Sequence, residues 1–263
     1  MDNPEKQSLS IPIAIVLAGA IISIGVYMSG NKNPVNNIAT NTGIDKTRDI
    51  NVRPVISSDN IIGSPEADIV LVEYSDTECP FCKNFHNTLH QLKNEYAPSN
   101  KLAWVYRQFP IVQLHSKAPK ESEATLCAAD QGKFWPYIDR VFEITPSNDG
   151  LPSSALPEIA SYVGIDVATF NNCLSTGKYT ASVNASVKEA QELGANGTPT
   201  SFLVLKKALN DKTIENIMYV FAQYRQPDGS LLGEVSKDKK VVMVSGALPY
   251  DFMKGIVDII IGQ

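Results

Sequence analysis

Cysteine is scarce in this chain of 263 residues, at four; histidine is scarcer at three and tryptophan at two. Four cysteines are too few for a disulfide-built scaffold and enough for one or two bridges. Charge is sparse at 19% of residues, and no basic surplus exists: 23 Lys and Arg stand against 28 Asp and Glu, net −5. That balance excludes the electrostatic footprint of a nucleic-acid binder. No internal repeat is visible, which excludes solenoids and propellers. A hydrophobic share of 43% is that of a globular chain rather than a disordered one. The length suits one large domain or two small ones.

One long apolar run is present. No charged residue occurs between Gln7 and Asn31, and within that span Ile11–Met28 supplies 18 apolar-rich residues. This is the low end of a bilayer span and long for a cleavable signal core. The expectation is a transmembrane signal anchor over 11–28, behind a cytoplasmic tail, 1–10. A cleaved signal and a buried core helix are the alternatives. Basic residues are too evenly placed around the run (Lys6 before it, Lys32 after) to set its orientation. Residues 29–56 form a polar linker, rich in Asn between Ser29 and Asn51, with no apolar period. They read as a solvated tether.

The folded part is expected over 57–263. Ile69–Tyr74 reads as a buried strand. Phe81, Phe85, Leu89, Leu92 and Tyr96 then mark one helix face, with Pro80 in the first turn. Leu102–Phe109 is the next strand. Helical patterns fill an insertion at about 113–194, where Ser154 and Asp166 are placed to cap helices. Strands follow at Ser201–Leu205 and Val241–Val244, with a closing helix over Tyr250–Ile261. Residues 206–240 exceed what such a core needs, and a substrate or partner contact is the expectation for them. The fold class is α/β with an inserted helical domain.

The chemistry centres on Cys79-Pro80-Phe81-Cys82. Thiolate is the nucleophile of thiol–disulfide exchange, and a helix N-terminus favours it through free N–H groups and the positive dipole end. Cys82, one turn on, is placed to attack a mixed disulfide on Cys79. The alternative is half a zinc site, but no second Cys-x-x-Cys exists to complete four ligands. Cys127 and Cys173, 46 residues apart, either staple two helices of the insertion, for about 4 kcal/mol by chain entropy, or are two separate buried thiols. His86 and His90 have the i, i+4 spacing of paired zinc ligands. No local carboxylate pattern completes a site, so they and His115 read as surface residues, with no metal expected. Asp76 and Glu78 read as solvated loop residues.

The strand IVLVEYSD followed by Cys79–Cys82 resembles the thioredoxin-like DsbA-type disulfide oxidoreductases, in the branch with one membrane anchor. Gly197-Thr198-Pro199-Thr200 resembles that family's cis-proline loop. Gln131–Trp135 is similar to part of its helical insertion, and Val244–Pro249 to its final strand and turn. The resemblance implies that Pro199 is cis and lies against the cysteine pair. It implies that Thr198 presents its backbone to a substrate peptide, and that Glu73 is a buried acid beneath the disulfide. It implies catalysis through the redox-active disulfide with no further cofactor. Its substrates would be unfolded or cysteine-containing exported proteins, met outside the cytoplasm. A membrane quinone-linked oxidoreductase would reoxidise it. One departure stands out. The family's strongest oxidases carry histidine where this chain has Phe81, which cannot stabilise a thiolate by charge. An oxidase is expected. A reductase or isomerase using the same site, and a tethered peptide-binding or chaperone module with structural cysteines, are the rivals.

Overall fold

The computed structural model describes residues 48–225 and 229–263. The anchor expected at 11–28, its tail and most of the linker lie outside the described residues. Among those described, no helix is long and apolar enough to cross a membrane.

The α/β class is found. Six strands, β1 (Asn60–Ile62), β2 (Ile69–Ser75), β3 (Leu102–Gln108), β4 (Thr200–Leu205), β5 (Gly233–Val235) and β6 (Val241–Ser245), form one sheet in the order β1-β3-β2-β4-β6-β5. Only the β2–β3 pair is parallel. That pair is joined by α1 (Pro80–Tyr96) as a crossover. β2 and β3 are buried throughout, which explains their near-continuous apolar sequence.

Alternation divides β2 between two cores. Ile69 and Leu71 face a large core with α1 and the insertion, while Val70, Val72 and Tyr74 face a smaller one. The insertion comprises α2 (Ala118–Ala129), α3 (Phe134–Ile144), α4 (Ala155–Tyr162), α5 (Val167–Ser175) and α6 (Thr180–Glu192). α2 to α5 pack into the large core, and α6 brings Ala190 and Val187 to the other face. Asp166 caps α5 by accepting from the Thr169 N–H at 2.7 Å. Ser154 precedes α4 without a side-chain cap bond. Cys127 of α2 and Cys173 of α5 are joined by a disulfide.

Two expectations are corrected. Residues 206–240 are not surplus to the core. α7 (Asp211–Gln223) buries Ile217 and Phe221 completely, against α8 (Tyr250–Ile261), and β5 extends the sheet. The end of the supposed tether is packed as well. Ile50 is buried, and Val52 and Val55 lie against the smaller core. Arg48 pairs with Glu234 at 2.6 Å, and Arg53 pairs with Asp59 at 2.8 Å.

Candidate active site

β2 carries the chain to the loop 76–79, where Cys79 takes extended backbone as the N-cap of α1, with Pro80 at its first position. No side chain caps this helix, so its first-turn N–H groups are left to act on the Cys79 sulfur. Cys82 lies one turn on and is fully buried. Both are free thiols. β4 runs antiparallel to β2 and pairs Thr200 with Tyr74. This register lays the loop preceding β4 against the start of α1. The Thr198–Pro199 peptide there is cis, and the Cys79 thiol donates to the Thr198 carbonyl at 3.5 Å. An open groove of about 300 Å³ adjoins, lined by Gly197, Thr198, Pro199, Arg225, Leu232 and Gly246 among others.

The two thiols are strongly unlike. A hydrogen bond from the Cys82 side chain holds Cys79 down at about 6, against burial, with help from the Cys82 N–H, Thr198 and the Phe81 N–H. Burial pushes Cys82 well above the ordinary thiol range, as do its bond to Cys79 and the charges of Cys79 and Glu73. An N–H from Asp76 meets the Cys82 sulfur at 3.5 Å.

Glu73 is fully buried on the large-core face of β2. Burial raises it to about 7, against a 3.0 Å bond donated by the Trp104 indole N–H. A carboxyl with that value can give or take a proton at neutral pH.

The loop acids are not solvated. Asp76 and Glu78 are both wholly buried. Asp76 accepts from the N–H groups of Glu78 and Ile111, and meets His115 Nδ1 at 2.9 Å. Glu78 accepts from the N–H groups of Gly150 at 3.2 Å and Leu151 at 3.0 Å. These loop carboxylates are therefore anchors of the active-site loop, holding segments that sequence order does not bring near it. His115 is likewise buried. Burial lowers its pKa, but Asp76 outweighs that and holds it above the ordinary value, with a further contribution from the Cys79 charge. His115, in the loop after β3, is thus coupled electrostatically to Cys79, an influence Phe81 cannot supply. Glu121 of α2 lies beside Glu78; burial first, then that neighbour, raise it to about 8. Nothing in the local sequence marks Glu121 or His115, since their relation to the cysteines is made only by the insertion.

Phe81 is 64% exposed, and Leu114, in the loop tied to Asp76, is 69% exposed. Exposed apolar side chains at and near an active-site loop are the kind of surface that marks interaction sites. His86 is not a surface residue. It is buried and, with half-buried His90, meets Asp139 of α3. The carboxylate that the sequence did not offer locally comes from another helix.

A family model described as thioredoxin matches residues 57–219. Among solved structures, α-DsbA1 of Wolbachia pipientis is 20% identical with a TM-score of 0.59, over 79% of this chain and 93% of that one. BdbD of Bacillus subtilis is 15% identical with a TM-score of 0.60, over 82% and 100%. At such identities these likenesses show the fold. A Na(+)/H(+) antiporter NhaA 1 of Mycolicibacterium vanbaalenii is 31% identical over 155 residues, 58% of this chain and 24% of that protein. The chain spans about a quarter of the length of such antiporters, so the match carries no transport activity with it.

Proposed function

This chain belongs to the thioredoxin family, and we propose from that premise that it is a DsbA-like protein thiol:disulfide oxidoreductase acting as a disulfide donor outside the cytoplasm. The observation that carries the reading is the asymmetry of the pair: Cys79 at about 6 at a helix N-terminus, Cys82 buried and far higher.

The chemistry follows from that asymmetry. A substrate thiolate attacks Sγ of Cys79 in the Cys79–Cys82 disulfide. The substrate–Cys79 bond forms, and the S–S bond to Cys82 breaks. Cys82 leaves as a thiolate that its surroundings disfavour, and it takes the proton held by Glu73. A second substrate thiolate then attacks the substrate sulfur of the mixed disulfide. Cys79 departs as a thiolate and is the better leaving group because its pKa is low. Two electrons have passed from the substrate to the enzyme. Thr198, at the cis loop, offers backbone to a client held as an added strand in the adjoining groove. Stabilising the Cys79 thiolate stabilises the reduced form and makes the disulfide more oxidising. This supports an oxidase despite Phe81.

The clients are cysteine-containing exported proteins. The segment 11–28 holds the domain at the membrane with the N-terminus cytoplasmic, and a membrane quinone-linked oxidoreductase accepts the two electrons. Disulfide donation suits the compartment where thiols are not kept reduced.

The test is a redox titration of the full chain against glutathione, with free thiols trapped by alkylation and located by peptide mass. A Cys79–Cys82 couple that stays reduced until conditions are strongly oxidising supports the donor. Oxidation already near the thioredoxin potential of roughly −270 mV would make the protein a reductase. If Cys79→Ser left activity intact, the cysteines would be structural and the binding-module reading would replace the enzyme.

A further inference from the structure

We propose that His86, His90 and Asp139 form a site for one divalent cation of the zinc class, bridging the active-site helix and the second helix of the insertion. α1 presents the two imidazoles one turn apart on one face, and α3 supplies the carboxylate. Asp139 Oδ1 lies 2.7 Å from His86 Nε2 and 2.9 Å from His90 Nε2, and the two nitrogens are 3.1 Å apart. Zinc holds histidine nitrogen and carboxylate oxygen at ~2.0–2.2 Å in a tetrahedron, so ligand atoms around it stand ~3.3–3.6 Å apart. A cation above this triangle is therefore accommodated once the three atoms spread by about half an ångström.

Hydrogen bonding accounts for the two contacts to Asp139, since one carboxylate oxygen can accept both N–H groups, but it does not account for two imidazole nitrogens facing each other at 3.1 Å. If both nitrogens carry protons, two donors meet with no bond between them. If one does not, its lone pair is left facing the other imidazole. A cation satisfies all three atoms at once.

The ligand set selects the metal class. Two imidazoles with one carboxylate suit zinc and its neighbours, whereas calcium and magnesium take oxygen shells. The three groups form the one such cluster among the described residues. Access is present, because the side chains of His90 and Asp139 are 29% and 44% exposed while that of His86 is 5%. The open side leaves room for water as a remaining ligand. Trp104 and Phe142 pack on the His86 ring, with centroids 5.2 and 4.7 Å away, and fix its orientation. His86 Nδ1 is buried with no hydrogen-bond partner among the described residues. No described protein group thus supports the ligand from behind, which places the affinity below that of closed four-ligand sites.

The site carries its own reporter. Trp104 packs on both imidazoles, and Trp135, the second of the chain's two tryptophans, packs on Trp104 at 4.6 Å.

The experiment uses the full chain with Cys79 and Cys82 oxidised to a disulfide, so that thiols cannot take the metal and failure of the redox reading does not affect the result. Zinc is titrated by calorimetry, and cobalt(II) by quenching of tryptophan emission. One zinc per chain is expected, with cobalt quenching the emission. His90→Gln and Asp139→Asn, both at partly exposed positions, should each weaken binding more than the roughly 10–100-fold typical of losing a supporting residue. Near-ultraviolet circular dichroism should be unchanged in both. No zinc bound by the oxidised wild type, or variants that bind as tightly as wild type, would overturn the proposal. Displacement of zinc by equimolar calcium would do so too.

Discussion

At Cys79 a thiolate is present at neutral pH, because its value is about 6. Alkylation by iodoacetamide should titrate with a midpoint near pH 6 at Cys79 and leave Cys82 unmodified in the folded protein. His115→Asn should move that midpoint up, since the cation held by Asp76 is removed while a hydrogen-bonding side chain remains. Glu73 has the opposite sign of shift: folded at about 7, ordinarily 4.5. The folded state therefore binds this proton more tightly. The contribution is fully present below about pH 4.5 and is lost as pH rises through about 7, on the order of 3 kcal/mol. Denaturant melts in a Cys79→Ser background should show this decline, and Glu73→Gln should flatten it. The same variant should slow the release of Cys82 during exchange. The thiol pair was legible because its chemistry is written in contiguous residues. Asp76, Glu78, His115 and Glu121 were not legible, because polar residues on loops and helix faces read as solvated until an insertion covers them.

Elements show the same division. Long periodic segments such as α1 and α8 are written in their apolar spacing, whereas β1 and β5, three residues each, carry no period to read. α7 lies in a stretch the sequence marks as excess, although Ile214, Ile217 and Phe221 stand three and four apart on one face. The partner they bury against is α8, far along the chain. Deleting 206–240 should therefore unfold the domain rather than weaken client binding alone, as loss of the cooperative thermal transition would show. Ser147, Asn148 and Asp149 have φ of 67°, 55° and 62°, a left-handed run of non-glycine residues that costs energy. Glu78 holds that run, accepting the Asn148 N–H on its own carbonyl and the Gly150 and Leu151 N–H groups on its carboxylate. Glu78→Ala should cost about 1–3 kcal/mol and open 145–151 to proteolysis. Replacing Cys127 and Cys173 by Ser should cost about 2–4 kcal/mol, measured by urea unfolding with the Cys79–Cys82 pair blocked.

Across the whole molecule, one buried charge network joins parts distant in sequence. Arg107 of β3 pairs with Asp59 and with Glu189 of α6, and Arg53 meets the same two acids. Arg107→Met should cost about 3–5 kcal/mol, because Asp59 is left buried with one partner fewer. A chain beginning at Ser57 should melt lower than one beginning at residue 48, since Ile50 and Arg53 are lost. This docking was hidden in the sequence by composition: most of the asparagines that suggested a tether lie ahead of residue 48. The outermost strands of the sheet, β1 and β5, are only three residues long. If the clients are unfolded chains, as proposed, any long unpaired strand would risk templating their aggregation. Short rims give an extended chain almost no ladder to grow on, which under the proposed function would leave the loop at Pro199 as the place for a client to settle and be released.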